Sequence, residues 1–258
     1  MTYPRLIGMV HALPLPGAPS HRPPFERVLE RARQDAIRLE EAGFDALLVE
    51  NYGDAPFYAS QVPPVTVAAL SRVVSTVREA VKIPVGVNVL RNDGRAALSI
   101  AAACDARFIR VNVLSGMMYT DQGPIAGQAA RLSRLRAQLN PEIEILADLF
   151  VKHAVPPPGL TLEEAAVDLA ERGGADAIIV SGEGTGRPTS RKTLAKVRRA
   201  VPEARLLVGS GVDARTVSSL LEIADGVIVG TAVKEEAQVE RPVDPDRAAA
   251  LVRAARLG

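Results

Sequence analysis

Four times along this chain a helical stretch runs into a tight turn, an aspartate and then a short apolar strand. The unit reads EEAGFDALLVEN over Glu40–Asn51, AACDARFIRVN over Ala102–Asn112, ERGGADAIIVSG over Glu171–Gly182 and EIADGVIVGT over Glu222–Thr231. Strands that are apolar throughout, rather than on alternate residues, fit a parallel sheet buried on both faces. Each unit is an αβ junction, with Gly43 and the pair Gly173 and Gly174 standing where a helix C-cap belongs. A chain of such junctions points to an α/β fold built on a parallel sheet.

Filling the gaps by the same patterns gives eight strands. They fall near Leu6–Val10, Ala46–Glu50, Val85–Val89, Phe108–Val113, Glu144–Leu149, Ala177–Ser181, Leu206–Gly209 and Val227–Gly230. Amphipathic helices are predicted at Phe25–Ala42, Val65–Val81, Gly94–Ala103, Ile125–Leu139, Leu162–Arg172, Ser190–Ala200, Ala214–Leu221 and Pro245–Arg256. Thr161 and Glu164 make a capping-box start for the fifth. An open doubly wound sheet would use the same units. Eight strands in 258 residues, with no linker, low-complexity tract or charge run, favour one domain over residues 1–258. The expected form is a closed (β/α)8 TIM barrel, which takes about 250 residues.

The last two strand ends point the same way. Leu206–Val208 runs into Gly209-Ser210-Gly211, and Val227–Val229 runs into Gly230-Thr231. Such turns carry little Cβ bulk, so backbone N–H groups can approach an anion closely. Each leads into a helix N-terminus, whose free donors and positive dipole end favour phosphate. Loops after strands seven and eight are where barrels of this class hold phosphate. Gly209, Ser210, Gly211, Gly230 and Thr231 are therefore the phosphate-binding candidates.

The longer irregular pieces, His11–Pro24, Asn51–Pro64, Leu114–Pro124, His153–Gly159 and Ser181–Thr189, all follow strands. They gather on the C-terminal face, where loops carry function. Strand ends on that face are polar: His11, Glu50, Asn88, Arg91, Asn92, Arg110, Asn112, Asp148, Lys152, His153 and Ser181. Alternation puts Asn88, Arg110, Asn112 and Asp148 on the inward face with Glu50. A barrel core needs only branched apolar residues, and buried charges are costly unless paired or hydrogen-bonded. A structural ion pair of Glu50 with Arg110, closed by the asparagines, is one account of Arg110; substrate contact is the other.

Glu50 and Asp148 are expected to work as general acid and base, with His11 as a proton shuttle because its ordinary pKa lies near neutrality. Asn88, Arg110, Asn112, Lys152 and Ser181 are the substrate-contact candidates. Lys152 reads as an anion binder, and Ser181 lacks a histidine partner for a nucleophilic role. Gly182–Gly186 reads as a lid or a third anion-binding turn, set against a plain loop. His21 and His153 are read as solvent-facing, Met117 and Met118 as loop packing, and Cys104 as structural.

Composition removes other classes. A formal net charge of +1 gives no field to draw in nucleic acid or an anionic membrane. No run approaches the ~20 apolar residues of a membrane span, and the N-terminus has the wrong flanks for a signal peptide. One cysteine rules out an internal disulfide and fits a reducing compartment. The expectation is a soluble, cytoplasmic chain. Histidines and acids do not fall at metal-ligand spacing, so no metal site and no cofactor are expected. The exception is Mg2+ carried by a substrate phosphate to Glu50 or Asp148. A homo-oligomer is allowed for, with Phe57 and Tyr58 as its contact.

Several stretches also resemble a known family. They are GMVHALPLPGAP (Gly8–Pro19), LLVENYGDAPF (Leu47–Phe57), VGVNVLRND (Val85–Asp93), FIRVNVLSG (Phe108–Gly116), TDQG (Thr120–Gly123), ADLFVKHA (Ala147–Ala154), LLVGSGV (Leu206–Val212) and GVIVGTAVKE (Gly226–Glu235). Together they resemble the BtpA/SgcQ family over nearly the whole chain. The resemblance implies a (β/α)8 barrel of the ribulose-phosphate-binding type. Its founding cyanobacterial member is linked to the biogenesis or stability of photosystem I. Other members occur in non-photosynthetic bacteria and archaea, some near sugar-utilisation genes.

Two functional expectations follow. The first is an enzyme of isomerase or lyase type, working by acid/base chemistry on a small phosphorylated metabolite. The second is a non-catalytic assembly or stability factor for photosystem I or a related membrane complex, docking through Asn51–Pro64 and Leu114–Pro124. The nearest analogy for the first is phosphoribosylanthranilate isomerase, whose family uses a cysteine at the end of strand one and an aspartate at the end of strand five. Asp148 fits the second of these positions, but His11 stands where the cysteine would be, which argues against that same reaction.

Overall fold

The computed structural model describes residues 3–182 and 189–256. The first half of the chain forms β1 (Leu6–His11), α1 (Phe25–Ala42), β2 (Ala46–Glu50), α2 (Pro64–Ala80), β3 (Val85–Asn88), α3 (Gly94–Ala103), β4 (Phe108–Val111), β5 (Met117–Thr120) and β6 (Gly123–Ala126). Then come α4 (Ala129–Leu139), β7 (Glu144–Leu149), β8 (Ala154–Val155), α5 (Leu162–Val167), β9 (Ala177–Val180), α6 (Arg191–Ala200), β10 (Leu206–Val208), α7 (Val217–Leu221), β11 (Gly226–Val229) and α8 (Pro245–Arg256). Eight of the strands close into a parallel barrel in the order β1-β11-β10-β9-β7-β4-β3-β2. The expected (β/α)8 barrel is therefore present.

Strand alternation divides the core in two. Ile7, Met9, Ala46, Leu48, Phe108 and Leu146 belong to a cluster inside the barrel. The larger cluster, with Val10, Leu47, Val49 and Val87, packs the outside of the sheet against the helices. Gly86 is needed beside Phe108, since a Cβ there would lie 2.2 Å from the ring. Two residues along each strand, one layer above the apolar filling, the inward positions turn polar. His11, Glu50, Asn88 and Arg110 stand at one register level across four neighbouring strands.

The recurring aspartate has a structural cause. Asp45, just before β2, accepts the amides of Arg5 and Leu6 at 2.9 and 2.8 Å. Asp176, before β9, accepts the amide of Ile145 at 2.7 Å, and Asp225, before β11, accepts that of Leu206 at 2.8 Å. In each case the carboxylate stitches the start of its strand to the start of the neighbouring strand, where an edge amide would lack a partner. Asp105 of the second unit does not do this. It is exposed, with φ of +54°, and pairs with Arg78 at 3.4 Å.

A buried ion pair fastens the barrel's seam. Lys234, wholly buried, donates to Asp35 of α1 at 2.7 Å, and the same carboxylate accepts the Val243 amide at 2.7 Å. The predicted capping box at Thr161 is formed, although the helix it opens passes into a π-helical turn over Asp168–Arg172.

The piece expected to be irregular over Leu114–Pro124 is instead a hairpin. Strand β5 pairs antiparallel with β6 on one side and with β8 on the other. The turn is closed by Gly123 at φ of +92°, which a residue with a side chain adopts at a cost. Ile125, expected to open the fourth helix, lies in β6 and packs with Val113, Met118 and Val151; the helix starts at Ala129. Met118 thus packs the loop, and Cys104 is buried and donates to the Ser71 carbonyl at 3.4 Å. Among the described residues no helix is long and apolar enough to cross a membrane.

Candidate functional site

A cavity of about 960 Å3 opens among the C-terminal ends of the barrel strands. Its floor is the polar level, with His11, Glu50, Arg110 and Asn112 on the wall. Asn88, Asp148 and Ser181 lie behind that wall and hold its members in place. Asn88 donates to the Arg110 carbonyl at 3.1 Å, and Ser181 donates to Asp148 at 3.3 Å.

The structural partner of Arg110 is Asp148, not Glu50. Nε and Nη2 of Arg110 meet the two oxygens of Asp148 at 3.0 and 2.8 Å, and Asn112 adds a third bond at 2.7 Å. The Asp148 side chain is wholly buried. Strand β4 adjoins both β3 and β7, and the stagger of the barrel carries the guanidinium toward β7. With its oxygens committed to Arg110, Asn112 and Ser181, Asp148 is an anchor. For the general acid/base role expected of it, one of these bonds would have to open, because a proton-transfer group must reach the substrate.

Glu50 is in a different position. It faces the cavity, and His11 Nε2 lies 3.9 Å from its carboxylate. Burial pushes the Glu50 carboxyl above the ordinary carboxylate range, against the opposing pull of Arg110 and Lys152. Burial also drives the His11 imidazole well below its ordinary value, helped by the charges of Lys234, Lys152 and Arg110. His11 is thus a neutral ring at neutral pH, stacked edge-on against Tyr52 at 5.1 Å, with its Nδ1 buried and lacking a partner. A carboxyl whose pKa is raised, set beside a neutral imidazole, is a candidate for giving and taking protons.

Both glycine corners line this same cavity: Gly209, Ser210 and Gly211 from one, Gly230 and Thr231 from the other. Their contributions differ from residue to residue. The Gly209 amide, expected to face an anion, donates to Val180 at 2.9 Å within the sheet. Gly209 supplies room instead, for a Cβ would lie 2.5 Å from Ile179 and 2.8 Å from Ser181 Oγ. Gly211 takes φ of +65°, and Ser210 Oγ is buried without a partner. Thr231 begins a 3-10 turn, whose first amides have no partner within the helix. A Cβ at Gly230 would lie 2.8 Å from the His11 ring, so this glycine also seats the imidazole. Arg215 and Arg247 stand at the same rim, paired with Asp213 and Asp244. Neither arginine stands out in the sequence, since both lie in helix-start segments beside ordinary acidic neighbours.

Across the barrel, Arg91 and Lys152 form part of the wall. Arg91 is only 8% exposed, and its Nη2 donates to the Lys152 carbonyl. Burial lowers the pKa of both cations, and the Arg110 charge lowers that of Lys152 further. His153 is exposed at the cavity rim, whereas His21 is half-buried with Nδ1 2.8 Å from the Pro14 carbonyl. Phe57 lines the cavity and Tyr58 is exposed.

The remaining strand-end polar groups tie loops together. Asn51 accepts the Leu90 amide and donates to Asp54, at 2.7 and 3.1 Å. Asn92 exchanges two bonds with the backbone of Val113, and Asp93 caps α3 while holding Val62. The lid expected over Gly182–Gly186 lies, apart from Gly182, outside the described residues. Among the described residues no group of three or more His, Cys, Asp or Glu side chains is arranged to hold a metal ion.

Comparison with known proteins places this geometry. An uncharacterised protein of Thermococcus kodakarensis is 50% identical over 253 residues, covering 97% of this chain and 95% of its own. The photosystem I biogenesis protein BtpA of Synechocystis is 42% identical over 253 residues, covering 98% of this chain and 88% of its own. Among solved structures, phosphoribosyl anthranilate isomerase from Thermus thermophilus superposes with a TM-score of 0.61 at 13% identity, over 98% of this chain and 100% of that one. At such identity the likeness concerns the barrel alone. The BtpA family description matches residues 2–257, so over its whole described length this chain belongs to the BtpA family.

Proposed function

We propose that the barrel binds a small phosphorylated metabolite and moves a proton on it, in an isomerase- or lyase-type reaction. The observation that carries this reading is the meeting of both glycine corners and the Glu50–His11 pair in one cavity. Phosphate would sit against the amides of Gly211, Thr231 and Ala232 and the Ser210 hydroxyl, with Arg215 and Arg247 adding positive charge from the rim. Glu50 is the proton-transfer group. His11, held neutral, donates or accepts a hydrogen bond beside it, and Asp148 keeps Arg110 and Asn112 aimed at the ligand. Mg2+ would enter only with the substrate phosphate, through Glu50, the one carboxylate of the original pair still facing the cavity.

The test is a thermal-shift and calorimetric screen with inorganic phosphate, sugar phosphates and nucleotide phosphates. Stabilisation by phosphate esters that is lost in Ser210→Ala combined with Gly211→Ala supports the site. Turnover lost in Glu50→Gln with ester binding kept supports the proton-transfer role. Failure of every phosphate compound to bind at millimolar levels removes the reading.

The kinship with the Synechocystis photosystem I biogenesis protein favours a second reading, a non-catalytic assembly factor. The surface for it is the hairpin β5–β6, which presents exposed Tyr119. In that case Glu50→Gln leaves function intact and shortening the hairpin abolishes it.

A further inference from the structure

The wall facing the glycine corners carries two cations, Arg91 and Lys152, that no carboxylate among the described residues pairs with. In the barrel order β10 stands four places from β3, so Arg91, just after β3, lies diametrically across from Gly209–Gly211. Arg91 is more than nine-tenths buried, and its one recorded side-chain bond, from Nη2, goes to a backbone carbonyl, that of Lys152. Among the described residues neither Arg91 nor Lys152 has a carboxylate oxygen within ion-pair distance of 4.0 Å. The charges that act on them from nearby are Asp148, Glu50, Arg110 and, for Arg91, Asp121, with Arg91 itself acting on Lys152. Asp148 is committed to Arg110 in a two-pronged pair, and Asp121 lies exposed on the hairpin turn. Among the described residues that leaves Glu50 against two cations, and burial favours its neutral form. A buried guanidinium without a counter-charge is an expensive arrangement in a finished core, and a natural one in a site awaiting an anion.

We propose that the ligand carries a second anionic group, a carboxylate, held by Arg91 and Lys152 at the end of the cavity opposite its phosphate. This rests on the phosphate reading above and adds the class of ligand, a phosphorylated organic acid. The chemistry of the wall selects carboxylate over a second phosphate. A planar guanidinium beside one ammonium matches two coplanar oxygens. A phosphate dianion draws on clustered backbone amides, and at the nearby start of α3 the Ala96 amide is already taken by the Asp93 cap at 3.0 Å.

The experiment compares matched pairs by isothermal titration. 3-Phosphoglycerate is set against glycerol 3-phosphate, and 6-phosphogluconate against glucitol 6-phosphate, with gluconate and inorganic phosphate as single-ended probes. The expected result is that at least one acid binds tenfold or more tighter than its neutral partner. Arg91→Gln and Lys152→Met, made separately, should each bring the acid to the affinity of the neutral ester. Lys152 sits on a loop and is only partly buried, so its variant serves should Arg91→Gln fail to fold. Equal affinity within both pairs overturns the carboxylate site and leaves the phosphate reading standing. Loss of binding for both esters and for inorganic phosphate, with gluconate held in an Arg91-dependent way, removes the phosphate reading and keeps the carboxylate site. Acid preference that survives both substitutions overturns the assignment to this wall.

Discussion

Asp148 takes both forks of Arg110, at 3.0 and 2.8 Å, in a place where neither side chain is more than 5% exposed. A pair this deep contributes little against an apolar substitute, yet removing one member strands the other. Asp148→Ala and Arg110→Met should each cost about 3–5 kcal/mol. The double variant should lose clearly less than the sum of the two. Chemical denaturation of the four proteins in a double-mutant cycle checks this; additive losses would show that the pair is not coupled.

Glu50 has a pKa raised by burial, so the folded state holds its proton more tightly than the unfolded chain does. Stability from this group is complete below the unfolded carboxylate value and is lost as pH rises through the raised folded one, by up to about 1.4 kcal/mol per pH unit. Glu50→Gln removes the loss. The variant should therefore gain on the wild type in melting temperature as pH climbs from about 4.5 through the raised Glu50 value, then hold a constant lead.

The sign is opposite for His11, whose pKa is lowered well below its ordinary value by burial. Its stability is present above the unfolded imidazole value and is lost as pH falls below about 6.5. His11→Gln should flatten the acid limb of the wild-type stability curve. Melting curves between pH 4 and 8 read this directly, and a limb that stays equally steep places the acid sensitivity elsewhere.

Asp225 both accepts the Leu206 amide at 2.8 Å and meets Arg198 at 2.7 Å. The ion pair is half in solvent and is worth roughly 0–1 kcal/mol, whereas an orphaned amide costs roughly 1–3 kcal/mol. The amide should win. Asp225→Asn, which keeps an acceptor, should cost under about 1 kcal/mol, and Asp225→Ala should cost two or three times as much. Equal losses in denaturant titrations would assign the effect to the charge.

The barrel was legible because its cause is periodic. Apolar runs after a helix and turn mark β2, β9 and β11, and β4 interrupts its run only at Arg110; strand alternation grouped Glu50, Asn88 and Arg110 on the inward face, where the register sets them at one level. What escaped depends on pairing across the sequence. Strand β8 is two residues long and exists only because Tyr119 and Thr120 lie beside it. The partner of Arg110 depends on barrel stagger, which no local pattern records. Arg91 was visible as a strand-end residue, but that no described carboxylate pairs with it appears only once the described carboxylates around it have been placed. The hairpin left a trace in Thr120–Gly123, where Thr120 accepts the Gln122 amide and donates to Gly123. That trace was outweighed by the helical look of the residues after it.

The stitches made by Asp45, Asp176 and Asp225 lie at the rim of the barrel farthest from the cavity. Cohesion and chemistry are thus drawn from opposite tips of the same strands. Descendants of this chain can rewrite the mouth, exchanging one guest for another, while the sewn hem below keeps the cylinder shut.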